Sequence, residues 1–240
     1  MKILEKLNAK QDIYGGKPVT IAFLGDSVTQ GCFECYVDDS GGVETVYDYP
    51  SAYSTRVREL LNLLYPKVQI NIINSGISGD SAAGGLSRIE RDILPFSPDL
   101  VVVSFGLNDS TRGLEQLDAY LGNIRSIIEK LKATGTEVIF LTQNYMNTRV
   151  SSLIPEPLLR QVASNIMQTQ NNGTLKVYMN EVAKTAAQCG AVVCDLFPVW
   201  EKMAAAGVDT TALLANKINH PLRQFHYYMA VKLIETMFEI

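Results

Sequence analysis

The chain has 240 residues, 47% hydrophobic and 19% charged, with a net charge of −4 and a pI near 5.3. These are globular values at a length that buries one large α/β core or two small ones, and they exclude a disordered or low-complexity protein. There is no basic stripe for nucleic acid, charged residues interrupt Met1–Lys10 where a secretory signal needs an apolar run, and nothing is long and apolar enough to span a bilayer. The expectation is a cytoplasmic protein with neither a nucleic-acid nor a membrane partner.

In chain order, Lys2–Lys10 reads as a short helix with an Ile3-Leu4-Leu7 face, and Tyr14-Gly15-Gly16-Lys17-Pro18 turns the chain. Val19–Leu24 is an apolar run rich in β-branched residues and ended by glycine, the pattern of an inner strand of a parallel sheet. Gly25-Asp26-Ser27-Val28-Thr29-Gln30-Gly31 follows. A serine just beyond the C-terminal end of such a strand stands where open α/β sheets bind ligands, which makes Ser27 a candidate nucleophile. Asp, Ser and Gly also make ordinary turns, and the loop alone does not decide between the two. Phe33–Asp48, centred on Gly41-Gly42, reads as a hairpin-like excursion or long loop near the site. Pro50 opens a helix to about Leu64.

Val68–Ile73 is the second strand, followed by Asn74-Ser75-Gly76-Ile77-Ser78-Gly79-Asp80 and a helix from about Ser81 to Ile93. Leu100–Phe105 is the third strand, leading into Gly106-Leu107-Asn108-Asp109. A helix from Leu114 to about Ala133 carries Leu117, Leu121, Ile124, Ile128 and Leu131 on one stripe. Val138–Leu141 is the fourth strand. The polar stretch Thr142–Pro157 is long for a strand-to-helix connection, and long loops at this edge are often functional. Two helical segments, a short fifth strand at Ala191–Cys194, a helical turn after Pro198 and a last helix after Pro221 complete the chain. Five alternations of strand and helix predict one α/β domain over 1–240, a three-layer α/β/α sandwich with a five-stranded parallel, flavodoxin-like sheet.

No metal or other cofactor is expected. Cys32 and Cys35 form a C-x-x-C pair, but Cys189 and Cys194 lack a matching spacing and there are only two histidines, whereas a zinc site asks for a second close pair or suitably spaced histidines. Cys194 lies in the apolar run of the fifth strand, where a buried free thiol is the ordinary state. The G-x-S-x-G elbow and the phosphate-binding glycine fingerprints are absent.

Acyl transfer by serine needs a nucleophile, a base within hydrogen-bond reach and donors aimed at the developing oxyanion. Of the histidines, His220 precedes the proline that opens the last helix, so its ring belongs to a loop; His226 falls within the helix and reads as a packed or solvated helix residue. Gly25-Asp26-Ser27, Ser78-Gly79-Asp80, Gly106-Leu107-Asn108-Asp109 and His220-Pro221 occur in that order. Together these four separated blocks resemble the SGNH hydrolase superfamily, also called the GDSL esterase/lipase family, over nearly the whole chain. The resemblance implies Ser27 as nucleophile, His220 as general base, and an oxyanion hole from the Ser27 and Gly79 backbone N–H groups and the Asn108 side-chain amide. Residue chemistry agrees, because glycine lets a bare amide approach a substrate oxygen and asparagine offers a neutral, fixed donor. Taken singly, Asn108-Asp109 is also an ordinary helix cap. A second Gly-Asp-Ser, Gly79-Asp80-Ser81, opens a helix, so Asp80 or Ser81 reads as its cap.

One block departs from the family pattern. The family usually places an aspartate three residues before the histidine, and here that residue is Lys217, which donates hydrogen bonds and accepts none. Candidates to orient His220 are Asn216, a backbone carbonyl, or a displaced carboxylate at Asp209 or Asp195; Asp209 reaches only if residues 210–216 fold back. The expectation is a Ser27–His220 dyad held by a carbonyl or Asn216. Asp26, Tyr145, Met146 and Arg149 are candidates to contact substrate. The function implied is a serine esterase acting on a small-molecule acyl ester, such as an O-acetylated carbohydrate, a short-chain ester or a lysophospholipid. The alternative is a carbohydrate- or ligand-binding module on the same fold with weak or lost catalysis.

Overall fold

The computed structural model describes residues 1–9 and 17–239. The first helix, α1, is Lys2–Ala9; Lys10 and the Tyr14-Gly15-Gly16 part of the expected turn lie outside the described residues. The strands are β1 Val19–Gly25, β2 Cys32–Val37, β3 Val43–Tyr47, β4 Ile70–Gly76, β5 Leu100–Ser104, β6 Glu137–Leu141 and β7 Val192–Cys194. The remaining helices are α2 Ser27–Gln30, α3 Tyr53–Leu64, α4 Ala82–Asp92, α5 Leu107–Ser110, α6 Leu117–Ala133, α7 Pro157–Asn171, α8 Thr174–Gln188, α9 Phe197–Ala205 and α10 Arg223–Phe238.

Five strands form one parallel sheet in the order β4-β1-β5-β6-β7. This is the expected three-layer α/β/α fold, with the strand order reversing at β1. Every residue of β1 is buried, and so is every residue of β5, as continuous apolar runs in a sheet covered on both faces require. Helices α3 and α10 pack together, and α4 and α8 pack against α6. In α6 the buried stripe is Tyr120, Ile124, Ile127, Ile128 and Leu131, shifted slightly from the expected one, which leaves Leu117 and Leu121 at its half-buried margin.

The second strand sits later than the apolar pattern predicts, over Ile70–Gly76 rather than Val68–Ile73. Register explains the shift, because Gly76 pairs with Gly25 at the carboxyl end of β1, while Gly25 also pairs with Ser104 at the end of β5. Three strands therefore finish level, and α2 lies directly on this edge. A Cβ on Gly76 would stand 2.2 Å from the Gln30 nitrogen, and one on Gly25 would stand 2.1 Å from the Thr29 hydroxyl. Glycine at both positions lets α2 sit against the sheet end. The expected excursion at Phe33–Asp48 is a true hairpin, β2 pairing antiparallel with β3 across a register irregularity between Cys32 and Cys35.

Candidate active site

Ser27 is the first residue of α2. Its predecessor Asp26 is the N-cap, extended at φ −97°, and accepts from the Val28 N–H at 3.0 Å. Ser27 itself is buried. His220 arrives from the other end of the chain on a loop closed by an isolated bridge between Leu214 and Pro221. Asn216 fills that loop, its Oδ1 accepting the N–H groups of Ile218, Asn219 and His220 at 2.9, 2.9 and 3.0 Å. The imidazole Nε2 lies 2.9 Å from Ser27 Oγ, and Nδ1 lies 2.9 Å from the Phe33 carbonyl oxygen. A carbonyl only accepts, so Nδ1 carries the ring hydrogen and Nε2 presents its lone pair to the Ser27 hydroxyl. Burial pushes the His220 pKa down from 6.5 to about 4, against smaller upward effects of the Phe33 carbonyl and Glu34. A neutral imidazole aimed at a serine hydroxyl is the starting state of a general base.

The two loops that follow β4 and β5 meet opposite. Gly79 has φ +77° and a Cβ there would meet nothing within 4 Å, so its backbone conformation, not space, calls for glycine. Its N–H has no backbone acceptor among the described residues, and the Ser27 N–H is one of the donors that a helix start leaves unpaired. Asn108 donates one amide hydrogen to the Asp80 carbonyl at 2.8 Å, which leaves the second free. Ser27, Gly79, Asn108 and His220 line a single cleft of about 300 Å³. Ser78, Asn216 and Asn219 extend its polar side; Val43, Leu159, Val162, Ile166 and Ile218 form an apolar wall. Ser81 caps α4, accepting from Gly84, so the second Gly-Asp-Ser is a helix start as expected.

Several candidates fall elsewhere. Asp26 is fully buried and outside the cleft. Its second oxygen accepts from Gln143 Nε2 at 2.7 Å, and burial raises its pKa to about 7 against the lowering effect of these hydrogen bonds. Tyr145 and Met146 are also buried; the Tyr145 ring lies 5.0 Å from Phe197 and 6.3 Å from Trp200. Arg149 is exposed and paired with Asp209 at 2.5 Å. None of these three lines the cleft, because the connection after β6 turns its side chains into the fold or along the surface. Asp209 also caps the turn at Thr210–Leu213 by accepting from Ala212, and Asp195 accepts from Thr142 Oγ1 at 2.7 Å. Asn216 holds the His220 backbone, not its ring. Lys217 sits at φ +59° with its ammonium on the Ala212 carbonyl.

Three contributors are not assigned by the sequence. The Phe33 carbonyl is one: a backbone carbonyl is expected on His220, but no residue-type signal says which. Gln143 is another, its Oε1 accepting from Leu107 N at 2.6 Å while its amide holds Asp26. Arg88, nearly buried, donates to the Gly25 and Ser75 carbonyls and to Asp80 and Asp92, tying the ends of β1 and β4 together. Its signal was a lone arginine on the otherwise apolar face of α4. His226 is buried beside Phe33 and Tyr53, with Nδ1 accepting from Tyr53 N at 3.2 Å. All four cysteines are free, and no group of three or more His, Cys, Asp or Glu among the described residues could hold a metal ion.

Comparison with known proteins gives this arrangement a family. An acetylxylan esterase from Geobacillus stearothermophilus is 28% identical over 140 residues, 55% of this chain and 62% of that protein. Esterase TesA from Pseudomonas aeruginosa is 37% identical over 70 residues, 29% of this chain and 34% of its own. The matched stretches thus span less than two thirds of either relative. Among solved structures, a catalytic mutant of the acetylxylan esterase Axe2 from Geobacillus stearothermophilus superposes with a TM-score of 0.68 at 20% identity, covering 93% of this chain and 95% of that one. A two-domain esterase active on acetylated mannans gives 0.68 at 18% identity, covering 98% of this chain and 51% of the other. At such identities the superpositions speak for the fold. The family model of the GDSL-like lipases and acylhydrolases matches residues 23–226, from within β1 into α10, and the chain belongs to that family.

Proposed function

We propose that this protein is a serine ester hydrolase that removes small acyl groups, with O-acetylated carbohydrate as the substrate class. The observation that carries the reading is the contact between Ser27 Oγ and His220 Nε2 at 2.9 Å, with the ring hydrogen committed to the Phe33 carbonyl on the far side. Ser27 Oγ attacks the ester carbonyl carbon as its proton passes to Nε2. The carbonyl oxygen becomes an oxyanion and takes hydrogen bonds from the Ser27 and Gly79 N–H groups and the free Asn108 amide hydrogen. Collapse expels the alcohol, which takes the proton from Nε2 and leaves an acyl-Ser27 ester. Water, deprotonated by the same nitrogen, attacks the acyl carbon, and Ser27 Oγ leaves with the proton from Nε2, releasing the acid and restoring the resting site. The imidazolium formed twice in this cycle is supported by a neutral carbonyl rather than a carboxylate, the role a triad aspartate otherwise fills.

The acetyl-carbohydrate class is supported by the names of the relatives and neighbours and by the polar side of the cleft, where Ser78, Asn108 and Asn219 offer donors and acceptors to hydroxyl groups. The test is acetate release from acetylated xylo-oligosaccharides and mannan, alongside p-nitrophenyl esters of graded chain length, by wild type and Ser27→Ala. The expected result is turnover of acetyl substrates that Ser27→Ala abolishes with the fold intact. No turnover of any ester by folded wild-type protein would instead favour a ligand-binding module on this fold.

A further inference from the structure

The carbonyl that orients His220 belongs to a hairpin strand, so its position is only as fixed as the start of β2. Phe33 is fully buried, and its ring contacts two groups from the beginning of α10. The Arg223 guanidinium carbon stands 4.3 Å from the ring centroid and the His226 ring 4.7 Å from it. The same guanidinium forms a two-pronged pair with the next residue, Glu34, at 2.6 and 3.0 Å, and its Nε donates to Asp48 at 2.7 Å. Asp48 follows the second hairpin strand, and its N–H bonds to the Gly31 carbonyl at 2.9 Å. One side chain therefore grips both feet of the hairpin and the face of Phe33. That side chain lies only three residues beyond His220.

We infer that Arg223 is a positioning residue for catalysis: by clamping Phe33, Glu34 and Asp48 to the turn that carries His220, it holds the Phe33 carbonyl on Nδ1 and so does by geometry part of what a triad aspartate does. This rests on the Ser27–His220 reading above. Packing alone does not explain the arrangement. The three charged side chains remain between about a quarter and a half exposed, and ion pairs at such exposure add little stability. A planar fork is what fixes direction, and it is the property lysine lacks.

The experiment compares wild type with Arg223→Lys, which keeps the charge and loses the fork and stack, and with Arg223→Ala, each also in a His220→Ala background. Rates are followed on p-nitrophenyl acetate at high enzyme concentration, and folding by circular dichroism. A displacement of about 1 Å at a catalytic group costs up to about 10²-fold, so both single variants should lose between about tenfold and 10²-fold in kcat. Their KM should stay within about twofold of wild type. In the His220→Ala background the same substitutions should change nothing, because the group they act through is gone. An unchanged kcat in folded Arg223→Lys and Arg223→Ala, or a loss that persists without His220, overturns the proposal. If neither variant folds, Glu34→Gln, at a half-exposed carboxylate, decides: a smaller loss confined to kcat supports the clamp, and no loss overturns it. Full activity in Ser27→Ala would instead bring down the serine-hydrolase reading on which the clamp depends.

Discussion

On the proposed mechanism, the basicity of His220, depressed by burial, should set the acid limb of the pH profile. The ring acts as a base only while neutral, so kcat/KM should follow the neutral fraction in the free enzyme. With its pKa pushed from 6.5 to about 4 by burial, about nine-tenths of the ring is still neutral at pH 5; an ordinary histidine at 6.5 would be only about 3% neutral there. The groups around it sharpen the expectation. Glu34 keeps its charge because Arg223 lowers its pKa, and that charge pulls the His220 pKa up only slightly against burial. Asp26, raised to about 7, titrates inside the window, so the measurement is repeated in Asp26→Asn. Stability has to be followed in parallel. Burial holds folded His220 and His226 below the unfolded 6.5, at about 4 and about 3. Their contribution is therefore whole above pH 6.5 and declines as pH falls towards 4. Asp26 and Asp109, raised to about 7 and about 6, work the opposite way: folding favours their protonated form, so their contribution weakens as pH rises through the same window. The assay is kcat/KM for p-nitrophenyl acetate from pH 4 to pH 8, with circular dichroism at each point. Retention of most of the pH 8 value at pH 5 is the predicted result. A limb near 6.5 in folded protein, in both wild type and Asp26→Asn, would refute the reasoning.

If the Asn108 amide serves the proposed oxyanion hole, Asn108→Ala should lower kcat by about 10²–10³-fold with little change in KM; a raised KM at constant kcat would assign Asn108 to ground-state binding. Because Asp209 is engaged by Arg149 and Asp195 by Thr142, Asp209→Ala and Asp195→Ala should each cost less than about tenfold in kcat/KM. His220→Ala should cost about 10³-fold or more in the same assay. An aspartate variant as damaged as His220→Ala, yet folded, would mean that a carboxylate does act on the ring.

The parallel sheet was legible because its inner strands are predominantly apolar runs; Ser27 and His220 stand out as candidates because one follows the end of such a strand and the other directly precedes Pro221. The departure from the family pattern is legible at Lys217, since lysine cannot accept a hydrogen bond. The 142–157 connection was misread for a physical reason. Its polar residues suggest a solvated rim, yet Gln143, Asn144 and Asn147 are buried and spend their amides on internal acceptors. Residue type reports that a side chain can hydrogen-bond, not whether its partner is water or backbone. Sequence alone therefore leaves Tyr145, Met146 and Arg149 open between substrate contact and ordinary loop packing. The Phe33 carbonyl is the extreme case, because every residue has one and only the fold decides which carbonyl reaches the histidine.

On the proposed mechanism Ser27 is the nucleophile and His220, without a carboxylate, activates it. This is tested most directly by treating the folded protein with a fluorophosphonate and mapping the adduct by peptide mass spectrometry. A single adduct is expected, on Ser27, that forms at a near wild-type rate in Asp209→Ala and Asp195→Ala and is strongly slowed in His220→Ala. A label on Ser81 or Ser110, or no label on folded wild-type protein, would contradict the mechanism.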